Sequence, residues 1–156
     1  QAALERTSHA LPAPARRIVI PVCYEADCAP DLMEVAAMHR VEASEVVRLH
    51  SSAVYTVQFI GFSPGFAYLA GLPRRLETPR LERPRTRVPA GSIGLAGMQT
   101  GVYPRSTPGG WRIIGRTPLR MFDAARAEAS TLALGDCVRF QPITRAEFAD
   151  LSSEHA

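Results

Sequence analysis

Hydrophobic and polar positions alternate in two distinct periods along this chain. "RIVIPVCY" (17–24) is β-branched and apolar and predicts a strand, with Pro21 placing it at a sheet edge or a strand end. In "PDLMEVAAMHR" (30–40) the period changes: Leu32, Val35, Ala36 and His39 form one helical face, and Asp31 with Glu34 three residues later suggests an N-cap. A second short helix is expected over 43–50, with Val46, Leu49 and His50 on one side. "VYTVQFIGF" (54–62) reads as a strand. From Gly61 to Pro118 the chain carries eight of its thirteen prolines and ten of its eleven glycines. That density leaves no helical window, so "SIGLAG", "TGVYP" and "WRIIGRT" are expected to be short strands, with Gly109 and Gly110 supplying positive φ at a turn. "LALGDCVRFQPI" (132–143) predicts a last strand, and Thr144 with Glu147 has capping-box spacing for a terminal helix. The whole reads as a mainly β domain, a closed or partly closed barrel with a few short peripheral helices.

Composition narrows this only a little. The 156 residues suit one domain, the 46% hydrophobic fraction is ordinary for a folded protein, and no apolar run reaches membrane-spanning length. Residues 1–17 are polar, carry Pro12 and Pro14, and read as a leader or linker, leaving 18–152 as the domain. Cys23, Cys28 and Cys137 lack zinc-ligand spacing, so they are expected to be thiols in a reducing compartment, and no metal or prosthetic group is predicted.

All 18 basic residues are arginine, and Arg74, Arg75, Arg80, Arg83, Arg85 and Arg87 fall within fourteen positions on a proline-stiffened segment. Such a segment offers guanidinium groups to an anion or simply to solvent. No nucleic-acid-binding motif accompanies the charge, so nucleic acid is not expected as a partner.

The candidate chemistry centres on "GFSPGF". Pro64 and Gly65 predict a rigid turn from which Phe62, Phe66 and Tyr68 project, either closing one barrel end or forming a pocket wall. His50, Arg87, Gln99 and Tyr103 are the candidate catalytic points. The aromatics, Pro64 and Gly65, with Arg80 and Arg85, are the candidate substrate contacts. For His50 the alternative is a purely structural helix-end histidine. No nucleophile–base motif, phosphate loop or dinucleotide fingerprint is present, so the chain does not carry a self-sufficient catalytic machine.

"FIGFSPGFAYLAGL", "TPRLERPRTRVPAGSIGLAGMQTGVYP" and "TPGGWRIIGRTPLRMFD", with "IPVCYEADCAPDLMEVA" and "VVRLHSS" upstream, resemble the allophanate hydrolase subunit 1 family, also called the 5-oxoprolinase B subunit family, over about residues 18–142. That family includes Kip-type histidine-kinase inhibitors and part of the carboxyltransferase region of urea carboxylase. The resemblance implies a cyclophilin-like barrel and, before it, a smaller α/β domain for which this sequence has no room ahead of Ile18. Where the family caps the second helix with Ser or Thr, Glu42 stands here, a weaker cap. The implied activity is that of a cytoplasmic, ATP-dependent 5-oxoprolinase, with ATP as cosubstrate of the complex and C-type and A-type subunits as partners. Inhibition of a histidine kinase and carboxyl transfer are the alternatives. The implied substrate is a small lactam or amide.

Overall fold

The computed structural model describes residues 15–154. Seven strands close a barrel in the order β1 (Arg17–Cys23), β8 (Arg112–Arg116), β5 (Ser92–Ala96), β6 (Gln99–Val102), β3 (Ala67–Ala70), β2 (Tyr55–Ile60), β9 (Cys137–Ile143). Closure is by a parallel pairing of β1 with β9, from Arg17↔Cys137 to Cys23↔Ile143; the other barrel pairs are antiparallel. Two further strands, β4 (Arg85–Val88) and β7 (Thr107–Gly109), form a separate ribbon. Helices α1 (Leu32–Met38), α2 (Ala43–Ser52) and α3 (Arg145–Glu154) complete the fold, so the mainly β barrel with a few short helices is what the chain forms.

Alternation does the packing. Ile20 and Val22 of β1, Tyr55 and Val57 of β2, Ile93 and Leu95 of β5, and Val138 and Phe140 of β9 point into one core, together with Val35 of α1 and Val46 of α2. Each such side chain, fully buried, contributes about 1.5–3 kcal/mol. A second, smaller cluster joins Phe66, Tyr103, Trp111, Val88 and Ile113. Phe148 of α3 closes a third over Cys23 and Cys28, both free thiols. Burial, then the neighbouring Cys23, pushes the Cys28 thiol up to about 12, so it stays protonated.

The capping box forms: Thr144 N–H donates to Glu147 Oε1 at 3.2 Å, and Glu147 N–H to Thr144 Oγ1 at 3.1 Å. Glu42 precedes α2 without a side-chain cap.

Four expectations need correcting. Asp31 is the cap residue of α1 but makes no capping bond. Its carboxylate instead takes both Arg85 Nη groups at 2.6 Å and the Ile113 N–H at 2.7 Å, pinning the β4–β7 ribbon and β8 to the start of α1. Pro21 lies in the middle of β1, not at its end; the second edge of β1 meets β8 only at Cys23↔Arg116, which leaves room for a residue without an N–H. Gly109 and Gly110 do not adopt positive φ. Gly109 is instead a close-approach position: a Cβ there would lie 2.8 Å from Cε1 of Tyr103. Finally, the expected leader over 1–17 lies largely outside the described residues, and its last two belong to the fold. Arg16 Nε donates to Asp136 at 3.0 Å, and Arg17 opens β1.

Candidate functional site

The turn after β2 is built as its sequence asks. Phe66 N–H donates to Ser63 C=O at 3.0 Å, closing a turn with Pro64 second and Gly65 third, where φ is +84°. That is the arrangement of a type II turn, in which the third residue needs positive φ. Gly65 is also confined, since a Cβ would meet Cβ of Phe122 at 2.8 Å. Phe62, just before the turn, holds φ +72° and is 65% exposed. A bulky residue in left-handed backbone stores strain, of order 1–3 kcal/mol, and such strain clusters at functional sites.

Phe62, Phe66, Tyr68, Tyr103 and Trp111 surround a cavity of about 110 Å³, which the exposed Arg80, at its rim, and Gly109–Gly110 also line. The rings meet edge to face: Phe66 lies 5.1 Å from Tyr103 and 5.3 Å from Trp111, each at 87°. Phe62 packs on Phe66 at 5.5 Å. This geometry fixes each ring by its neighbours. Burial raises the Tyr103 phenol above its ordinary pKa, against the opposing influence of a backbone hydrogen bond at Trp111 and of Arg80 and Arg85, so it is neutral and able to donate. Aromatic faces, one phenol and one rim guanidinium suit a small ring bearing a carboxylate or carbonyl.

Five of the eleven sequence candidates therefore converge: Phe62, Phe66, Tyr68, Tyr103 and Arg80. Pro64 and Gly65 shape the turn without lining the cavity. The single site that would also gather His50, Arg87, Gln99 and Arg85 does not form. Arg85 is spent on Asp31, and with Arg87 it lines a different cavity of about 120 Å³. Gln99 opens β6, paired with Ala96 across a hairpin. Trp111, Gly109 and Gly110 belong to the cavity and were not singled out as site residues; the only signal was the run "PGGW".

His50 sits at the centre of the main core, fully buried. Thr100 Oγ1 donates to Gly94 C=O at 2.9 Å, so it accepts from His50 Nε2–H at 3.0 Å. The other nitrogen, Nδ1, then accepts from the Tyr24 hydroxyl at 2.7 Å. Phe140 stacks on the ring at 4.5 Å, and Tyr55 donates to the His50 carbonyl at 2.7 Å. Both ring nitrogens are satisfied, and burial lowers the pKa to about 3. A histidine so placed is a neutral structural bridge from α2 to β6 and to the segment after β1.

Among the described residues no group of three or more His, Cys, Asp or Glu is placed to hold a metal ion, and no helix is long and apolar enough to cross a membrane.

A protein family described as "Carboxyltransferase domain, subdomain C and D" matches residues 1–132. Two proteins named as the B subunit of 5-oxoprolinase resemble the chain closely. That of Escherichia coli O157:H7 is 54% identical over 135 residues, covering 86% of this chain and 62% of that protein. That of Bacillus subtilis is 47% identical over 134 residues, covering 85% and 56%. The chain thus spans about 60% of the length of the curated relatives it matches. Among solved structures, a conserved uncharacterized protein from Pyrococcus horikoshii superposes with TM-score 0.83 at 50% identity, covering 85% of this chain and 62% of that one. The urea carboxylase of Kluyveromyces lactis, at 21% identity and TM-score 0.74 over 90% of this chain and 15% of that one, shares the fold.

Proposed function

Because the chain belongs to the family described as carboxyltransferase domain, subdomain C and D, we propose that it is the barrel part of the B-type component of a cytoplasmic, ATP-dependent 5-oxoprolinase. The observation that carries this is the 47–54% identity, over most of the chain, to three proteins named as that component. Subunit naming implies a complex, and the proposed partners are a C-type and an A-type subunit.

The chemistry explains the division of labour. A lactam is an unreactive amide; transfer of a phosphoryl group from ATP to its carbonyl oxygen activates the carbonyl carbon, water adds there, the ring C–N bond breaks with the nitrogen leaving as the amine, and a second water releases phosphate from the resulting acyl phosphate. This chain's aromatic cavity supplies none of the phosphoryl-transfer parts. What supports a binding role is its wall of rings for the five-membered lactam, the Tyr103 hydroxyl for a carbonyl or carboxylate oxygen, and Arg80 at the rim for the carboxylate. Carboxyl transfer is the second reading, favoured by the family's description and by the fold shared with urea carboxylase.

The test is a chimera of the E. coli relative in which its 135-residue aligned segment is replaced by this chain's, assayed with that organism's partner subunits. Glutamate release from 5-oxoproline that requires ATP is the expected result. Trp111 fluorescence of this chain alone reads 5-oxoproline binding independently of assembly. A cooperatively folding chimera that releases no glutamate, or that instead transfers carboxyl groups from carboxybiotin, overturns the proposal.

A further inference from the structure

A second cavity, of about 390 Å³, lies away from the aromatic one, between the segment after β6 and helix α3. Arg105, Ser106, Arg116 and Arg120 line it with Phe148 and Ser152, and among the described residues its lining contains no Asp or Glu. The cavity of about 120 Å³ that holds Arg85 and Arg87 shares Arg116 with it, so the two adjoin across that side chain. Five arginines therefore face one region at this side of the barrel.

Accounting for carboxylates shows which of the five are committed. Arg85 is held by Asp31, and Arg120 lies 3.5 Å from Asp123. Asp27, the one acid of the smaller cavity, is bound to Arg145 at 3.1 Å. Among the described residues Arg87, Arg105 and Arg116 have no carboxylate partner. Two of them are nevertheless mounted. Arg87 Nε donates to Ser106 Oγ at 2.9 Å, and Arg116 Nε donates to the Ala90 carbonyl at 3.0 Å, with its guanidinium 5.7 Å from the Phe148 ring centroid. Each is anchored through Nε, which leaves both terminal nitrogens, the ends that grip an oxyanion in a fork, uncommitted. Two adjoining cavities gather Arg87, Arg105 and Arg116 from β4, the β6–β7 segment and β8, and Asp27, the one acid lining them among the described residues, is already bound to Arg145.

We propose that this region is an oxyanion-binding site for a compact, multiply charged ligand: a phosphate group or a dicarboxylate. A single carboxylate would leave two of the three guanidiniums uncompensated; a dianion engages them together. The site is separate from the aromatic cavity, so it stands or falls independently of the 5-oxoprolinase reading.

Equilibrium dialysis or titration calorimetry at fixed ionic strength tests it with two probes, inorganic phosphate and malonate. Saturable one-to-one binding of at least one probe is expected, and the stronger of the two identifies the ligand's chemistry. Arg105→Gln and Arg87→Gln each remove one mounted or facing guanidinium from the solvent side and should weaken that binding about tenfold or more, with melting temperatures unchanged. Arg74→Gln, on the exposed turn after β3, controls for a diffuse positive field and should bind as the parent does. The proposal is overturned if neither probe saturates, if Arg105→Gln and Arg87→Gln bind with parental affinity, or if Arg74→Gln weakens binding equally.

Discussion

Acidification should destabilise this protein through one side chain well before its carboxylates protonate. His50 is fully buried, both ring nitrogens are bonded, and its pKa is lowered to about 3 by burial. In the unfolded chain the same imidazole titrates near 6.5. Above pH 6.5 both states carry it neutral, and the stability is fully present. Between pH 6.5 and about 3 the unfolded state binds a proton that the folded state refuses, so stability falls with pH at about 1.4 kcal/mol per unit. From pH 7.5 to 4.5 the loss is about 2.7 kcal/mol, a sizeable part of the 5–15 kcal/mol typical of a domain. The assay is urea unfolding from pH 7.5 to 4.5, on the parent and on His50→Gln, whose amide can accept from Tyr24 and donate to Thr100. Gln does not titrate, so the difference between the two curves isolates His50 from His39 and the other histidines. The parent should lose about 2–3 kcal/mol more than the variant over that range. The low-pKa carboxylates, Asp27, Glu45 and Asp123, are stabilised in their charged forms by hydrogen bonds, from Arg145, Arg48 and the Ala125 backbone N–H respectively; their contribution is lost only at lower pH. Equal pH slopes for parent and variant, or an NMR titration of the His50 ring with a midpoint near 6.5, would refute the reasoning.

Two further perturbations probe the fold and the aromatic cavity. Asp31→Asn should cost about 2–3 kcal/mol in urea unfolding, less than the 3–5 kcal/mol for breaking a wholly buried pair because the Arg85 side chain keeps 31% of its surface in water; Arg85→Met in the same background should recover part of that loss. Gly109→Ala drives a methyl into the Tyr103 ring, 2.8 Å from Cε1, and should destabilise by about 1–3 kcal/mol while shifting Trp111 emission, because the rings of the cavity move together.

What the sequence disclosed, it disclosed locally. The capping box of Thr144 and Glu147 is a three-residue relation and forms as read. The Pro64–Gly65 turn is a four-residue relation and forms as read. The strands follow from their own short-range patterns, alternation in β2 and β9 and a short run between glycines, buried throughout, in β5. What it concealed depends on partners far along the chain. The parallel seam between β1 and β9 joins positions about 120 residues apart, and no local pattern announces it. Trp111 reaches the cavity across some forty-five residues from Phe66, so it read as one strand residue among others.

The same distance explains why His50, Arg85 and Asp31 were open to a functional or local reading. Each has side-chain chemistry that serves a site, a core or a cap equally well, and only its partner decides. The partners of His50 are Tyr24, 26 residues before it, and Thr100, 50 residues after it. That of Arg85 is Asp31, 54 residues before it. In each case the fold had already satisfied the group internally: a histidine with both nitrogens bonded and a depressed pKa has no free lone pair, and an arginine gripped at both terminal nitrogens has no fork left for a ligand. The arginines still open to a ligand are those whose anchors use Nε alone or that have no anchor at all. Arg87, Arg105 and Arg116 meet that condition; Arg105 and Arg116 line one cavity, and Arg87 with Arg116 the adjoining one, whose single acid, Asp27, is already bound to Arg145. Unspent donor capacity inside a cavity, rather than residue type or clustering along the chain, therefore separates the arginines that hold this barrel together from those that face outward from it.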